Sequence, residues 1–264
     1  MEENKKKYNP TGIWAPNKVV AILIYIFVTF ILAGLLLYFF SYIYANVNHL
    51  SYDEIVKSLT MKSDDFSNLS DDILKANAIV QGLGNLFSYL IACILVCFFT
   101  RDELCTDLFK FREKKKFYYW HIPVVVILFC LIGYGIDKLI LVFTTSTENQ
   151  IQIENIIKNG GLIPMIISTV LLAPVVEEII YRKCIFSLCK NRLLLAYAAS
   201  IILFAFPHML TTSATFGDWV LKSIPYLASG LMLATIYHLS GFNVYVSIMA
   251  HMANNILAVI LVFI

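Results

Sequence analysis

The chain has 264 residues and a formal net charge of +2, with 59% of its residues hydrophobic and only 14% charged, at a mean hydropathy of +0.75. A soluble domain cannot hide that much apolar surface. A positive balance this small, gathered into a few segments, does not suit a nucleic-acid partner.

Residues 1–18 form a basic tail, "MEENKKKYNP" at its start. The first apolar run, Val19 to Val47, is longer than a signal-peptide core and no small-residue cleavage site follows it, so a retained membrane span is expected. Residues 48–75 are polar and acidic on balance, which predicts an external loop. Within it Ser70, with Asp71 and Asp72 behind it, is a natural cap for one short helix. Further spans are expected over Ala78–Thr100, Tyr118–Thr144, Leu162–Cys189, Leu193–Leu210, Trp219–Leu239 and Asn243–Ile264. In the third of the seven, Asp137 and Lys138 either pair or mark its end. The fold class expected is all-α, a polytopic transmembrane helical bundle of about seven to eight spans.

Lysine and arginine cluster in the tail, in the loop 101–117 ("RDELCTDLFKFREKKK") and in "RKCIFSLCKNR", while the 48–75 loop is acidic and "TTSATFGD" holds neither. The positive-inside rule puts the amino terminus in the cytoplasm of a multi-pass cell-membrane protein. The basic clusters are read first as topology signals and second as surfaces for acidic lipid. Six cysteines, Cys93, Cys97, Cys105, Cys130, Cys184 and Cys189, contain no C-x-x-C pair and avoid the outer loops, which argues against disulfides and structural zinc.

Ionisable groups at a bilayer's centre cost at least about 2.5 kcal/mol each, so each one there is a functional hypothesis. They gather in the second half of the chain. "APVVEEIIYRKCIF", residues 173–186, holds Glu177, Glu178 and Arg182. "FAFPH" ends in His208, and "HMANN" contains His251 and Asn255. Glu178 and Arg182 are four apart and share a helix face, so their pairing offsets part of their burial. Glu177 lies about 100° around the axis and is free to face another neighbour. Pro174, one turn earlier, removes a backbone hydrogen bond and opens space. Phe204 shares a face with His208, and His251 shares one with Asn255. Each motif alone has an ordinary explanation: an interfacial salt bridge helped by Lys183, a histidine bonded to a neighbouring backbone, a polar packing pair. Three together are harder to explain as packing. A carboxylate beside an imidazole can hold a water and take its proton, the more readily when partly desolvated. A histidine and an asparagine amide aimed at one point can stabilise an oxyanion. The chemistry is hydrolysis of an acyl bond, most naturally a peptide, inside the membrane.

Taken in order, E-E-x-x-x-R at Glu177, Glu178 and Arg182, F-x-x-x-H at Phe204 and His208, and H-x-x-x-N at His251 and Asn255 resemble the signature of the CPBP family, the CAAX-processing and bacteriocin-processing membrane proteases also called Abi. The resemblance covers residues 160–264; residues 19–144 match only in being membrane-spanning. It implies an intramembrane glutamic endopeptidase of multi-helix α fold, with residues 160–264 as its catalytic membrane domain. Glu177 would activate the water and His208 would help to hold it. His251 and Asn255 would form the oxyanion hole, while Glu178 and Arg182 order the site and Phe204 shapes it. Glu177, Glu178, His208 and His251 could ligate zinc in principle, but H-E-x-x-H is absent and the glutamate mechanism needs no metal, so no metal or other cofactor is expected. The expected partners are the bilayer and a peptide, membrane-protein or lipid-anchored substrate, which in bacterial relatives of this kind extends to bacteriocin immunity or peptide-signal processing. Oligomeric state is not legible.

Other protease classes fit less well. There is no G-x-S-x-G, and "GYGID" resembles the G-x-G-D of aspartyl intramembrane proteases only with an extra residue before Asp137. Two non-protease readings compete: a non-catalytic membrane scaffold or regulator of the same fold, and a small transporter relaying protons through Glu177 and Glu178. The transporter reading lacks paired discontinuous helices.

Overall fold

A computed structural model describes residues 16–61, 66, 68–189, 192–210 and 215–263. Residues 1–15 of the basic tail, 62–65, 67, Lys190, Asn191, 211–214 and Ile264 therefore lie outside the described residues. Among those described there is no strand. The helices are α1 (Pro16–Asn48), α2 (Tyr52–Leu59), α3 (Asp71–Phe99), α4 (Arg101–Glu113), α5 (Lys115–Ile140), α6 (Glu148–Leu188), α7 (Leu193–Met209), α8 (Phe216–Leu239) and α9 (Val244–Leu261).

Six of these are long and apolar enough to cross a membrane: α1, α3, α5 over Ile122–Ile140, α6, α8 and α9. The fold is thus the expected polytopic helical bundle. Six candidate spans plus α7, which at 17 residues is the short apolar member, are roughly consistent with the expected seven to eight. Large aliphatic side chains turned outward, such as Leu35, Leu131, Val142 and Leu194, are what a hydrocarbon solvent allows.

Two boundaries differ from expectation for a local reason. Ser70 does act as a cap, its Oγ accepting from Ile73 N–H at 3.4 Å. The helix it starts is not a short loop helix but the second span itself, which begins at Asp71. Asn77, in the added stretch, and Gln81, one turn further on, are buried by partners rather than exposed: Asn77 donates to Ser58 of α2 at 2.9 Å, and Gln81 is held by Asn77 and by Gln152 of α6. The loop's own helix is α2, capped by Ser51. The stretch Glu148–Ile156 is also helical, capped by Thr147, and leads into the fourth span through a break at Asn159 and Gly160. Gly160 has φ +108°, which only glycine adopts freely. Gly161 is close-packed: a Cβ there would lie 2.5 Å from the Ala78 carbonyl oxygen. Asp137 and Lys138 fall in the last turn of α5 and mark its end, with the Lys138 ammonium over the Tyr134 ring.

α6 is the most enclosed helix. Beyond the break at Asn159 and Gly160 it leaves regular α geometry twice more, widening to π-type turns over Ile167–Leu172 and Ile179–Cys184. The first lies directly before Pro174, whose ring and missing N–H disturb the preceding turn; the second directly follows the glutamate pair. Such bulges in long helices frequently sit at functional sites.

Candidate active site

The register between α6 and α9 is set at one end of the bundle. Lys183 donates to both oxygens of Asp107, at 2.7 and 2.6 Å, and both side chains are buried. Asp107 belongs to α4, inside the basic stretch 101–117. Its Oδ2 also accepts from Val244 N–H at 3.1 Å, the first turn of α9, and its backbone carbonyl accepts from Asn243 Nδ2 at 2.8 Å. A carboxylate at a helix N-terminus satisfies an orphan donor and meets the positive end of the helix dipole. Lys183, which the ordinary salt-bridge reading enlisted beside the glutamates, is bonded to Asp107 and pins α4, α6 and α9 to a common plane. Burial lowers the pKa of the neighbouring Lys110 ammonium, while Asp107 pulls it the other way.

From that plane the depths of the site residues follow. Glu178 is five residues from Lys183 along α6, at most about 8 Å across the widened Ile179–Cys184 turn, and His251 is seven from Val244 along α9, about 10 Å, at 1.5 Å per residue. The two helices run antiparallel, and side chains lean toward their own N-termini, so Glu178 leans away from the plane and His251 toward it. They meet: His251 Nδ1 lies 3.1 Å from Glu178 Oε1. The other oxygen, Oε2, faces Arg182 Nε at 3.1 Å, in a charge contact without hydrogen-bond alignment. Glu178 and Arg182 have no exposed surface at all. Arg182 also lies 4.8 Å over the Phe204 ring, a cation–π contact that serves a buried guanidinium well. Its Nη2 reaches the carbonyl of Gly230 on α8 at 3.5 Å.

Phe204 is the common wall. Its ring centre is 5.2 Å from that of His208 and 5.7 Å from that of His251, so the two imidazoles flank one phenyl ring. His208 sits near the far end of α7, yet it leans back toward the α7 N-terminus, while Glu177 on antiparallel α6 leans the opposite way. The difference in depth is shared between the two tilts. His208 donates from Nδ1 to the Phe204 carbonyl at 2.9 Å, which leaves Nε2 as the acceptor of the neutral ring, and the ring packs at a tilt of 31° against Tyr226, centres 4.7 Å apart.

Glu177 is 3% exposed and takes no part in the ion pair. Its hydrogen-bond partner is Tyr89 of α3, whose hydroxyl donates to Oε1 at 2.9 Å. Asn255 donates from Nδ2 to the carbonyl of Thr169 at 2.8 Å, which uses one of its two N–H groups. The three motifs thus converge around Phe204 and Arg182, with Asn255 held against the Ile167–Leu172 turn. Sequence reasoning did not single out Tyr89, Asp107, Thr169 or Tyr226. Tyr89 sits in an apolar run with no motif around it, and Asp107 is one of several acids in a mixed-charge segment, so neither carried a signal. Among the described residues no cluster of three or more His, Cys, Asp or Glu has the arrangement of a metal site.

No curated protein matches the chain, and no solved structure does. A family model does match, described as Rce1-like, type II CAAX prenyl endopeptidase, over residues 159–257. That stretch holds all seven motif residues and none of the first half of the chain. Residues 159–257 are therefore similar to the Rce1-like type II CAAX prenyl endopeptidases, in agreement with the resemblance that the motifs carry.

Proposed function

We propose that the protein hydrolyses a peptide bond of a membrane or lipid-anchored protein or peptide with a water activated by Glu177. The observation that carries this reading is the division of labour between adjacent carboxylates. Glu178 is consumed by Arg182 and His251, while among the described residues Glu177 is held through one oxygen only. Oε2 of Glu177 is left to take a proton from water, and Nε2 of His208 can accept that water's second hydrogen bond. The hydroxide adds to the scissile carbonyl, and the oxyanion is met by the second N–H of Asn255 and by His251 Nε2–H. His251 already gives Nδ1–H to Glu178, so it can donate from Nε2 only as an imidazolium. The reading therefore requires the Glu178–His251 contact to be an ion pair, with Arg182 balancing the remaining charge. Glu177 returns the proton to the leaving amine as the tetrahedral adduct collapses.

The lysine and arginine distribution supports a cytoplasmic amino terminus. The seven motif residues support a substrate in the range of bacterial relatives, from lipid-anchored proteins to bacteriocins and peptide signals. The test is cleavage of a panel of internally quenched peptides, farnesylated Cys-aliphatic-aliphatic-Met ends and unprenylated membrane segments, by the full chain in detergent. Wild type is expected to cleave members of the panel and Glu177→Gln to cleave none, with or without a strong chelator. Equal cleavage by both proteins would remove Glu177 as the base. A protein that cleaves nothing in the panel yet keeps its biological effect in Glu177→Gln and His208→Ala would be the scaffold.

A further inference from the structure

The hydroxyl bonded to Glu177 comes from outside the family-matched segment. Tyr89 lies on α3 and belongs to a group of three tyrosines from three helices. Tyr181, one turn beyond Glu177 on α6, donates to the hydroxyl of Tyr25 on α1 at 3.0 Å, with the two rings edge to face at 5.7 Å. Tyr181 also packs edge-on against Phe204. Tyr25 and Tyr181 satisfy each other, whereas Tyr89 spends its hydroxyl on the carboxylate. An ionised carboxylate only accepts, so Tyr89 is the donor. A bond from a neutral phenol to a carboxylate is charge-assisted, and in a site this enclosed it fixes which oxygen is tied and which is presented.

We propose that Tyr89 is a positioning residue for the Glu177 carboxylate: it anchors Oε1 so that Oε2 is held toward the water and the scissile carbonyl. The proposal rests on Glu177 being the base. It implies that the first half of the chain completes the active site, so that residues 159–257 alone hold the reacting groups but not the hydroxyl that orients them. A carboxylate freed to rotate loses near-attack geometry without losing substrate affinity, so the effect falls on kcat and not on KM.

The test compares wild type, Tyr89→Phe, Tyr25→Phe and Glu177→Gln as full chains in detergent, with two readouts. One is the infrared carboxylate stretch of Glu177, assigned as the band lost in Glu177→Gln. The other is kcat and KM, per mole of folded protein, on whichever quenched peptide of the panel wild type cleaves. The expected result is a shifted band in Tyr89→Phe and an unshifted one in Tyr25→Phe, with kcat down about tenfold or more and KM within about threefold in Tyr89→Phe. An unshifted band, or a shifted band with unchanged kcat, overturns the proposal while leaving Glu177 as the base. Full activity of Glu177→Gln overturns the reading of the base and this proposal with it. Should Tyr89→Phe not fold, 3,5-difluorotyrosine at position 89 keeps the ring and strengthens the donor. The band is then expected to move opposite to the loss of the bond, and no movement overturns the proposal.

Discussion

Asp107→Ala tests what sets the depth of the site. The substitution removes both oxygens to which Lys183 donates, at 2.7 and 2.6 Å, and the acceptor of Val244 N–H at the start of α9. Breaking a buried pair from one side leaves an uncompensated charge and costs roughly 3–5 kcal/mol, and an orphaned buried N–H adds about 1–3 kcal/mol unless water reaches it. The expected loss is at least about 3 kcal/mol. Replacing both partners, Asp107→Leu with Lys183→Met, recovers part of it, because no charge is then stranded. The assay is denaturation in detergent followed by thiol labelling of Cys184, which is fully buried, in a background lacking the other five cysteines. If Asp107→Ala unfolds within about 1 kcal/mol of wild type, the range of a surface ion pair, the contact does not fix the α4, α6 and α9 register and the argument for the meeting of Glu178 and His251 fails.

Two further outcomes follow from the site and its packing. Gly161→Ala puts a methyl 2.5 Å from the Ala78 carbonyl, so α3 and α6 must part; a loss of about 1–3 kcal/mol is expected in the same denaturation assay, and a neutral result would mean that the crossing is looser than the geometry implies. Asn255→Ala removes a proposed oxyanion donor and is expected to lower kcat by about 10²–10³. Its stability cost should be only the bond to Thr169, about 1 kcal/mol; a purely structural Asn255 would reverse those two effects.

Much of this was legible in the sequence, because the strongest signals in a membrane protein are the residues a bilayer penalises. The apolar runs located every long helix, and the start of the fourth span at Leu162 falls just after Asn159 and Gly160 break α6. The motif residues were visible for the same reason: Glu177, Glu178, Arg182, His208, His251 and Asn255 are polar groups in apolar surroundings. What was not legible depends on partners far apart in sequence. The second span begins at Asp71, about two turns early, because partners such as Ser58 satisfy the polar residues of its first turns. Lys183, next to Arg182 in sequence, is spent on an aspartate 76 residues away. Tyr89 looks like any interfacial or packing tyrosine until its hydroxyl is found 2.9 Å from Glu177. A pattern of polarity reports that a group is buried at a cost; it does not report which helix supplies the partner.

The most direct measurement of the central claim is the rate of peptide hydrolysis by Glu177→Gln relative to wild type, both shown to be folded and compared on the same cleaved peptide. The carboxamide keeps the shape of the side chain and can still accept from Tyr89, but it cannot take a proton from water, so a fall of about 10²–10⁴ in kcat is predicted. A Glu177→Gln rate within about tenfold of wild type would contradict the account, because the proton would then be leaving the water by another route.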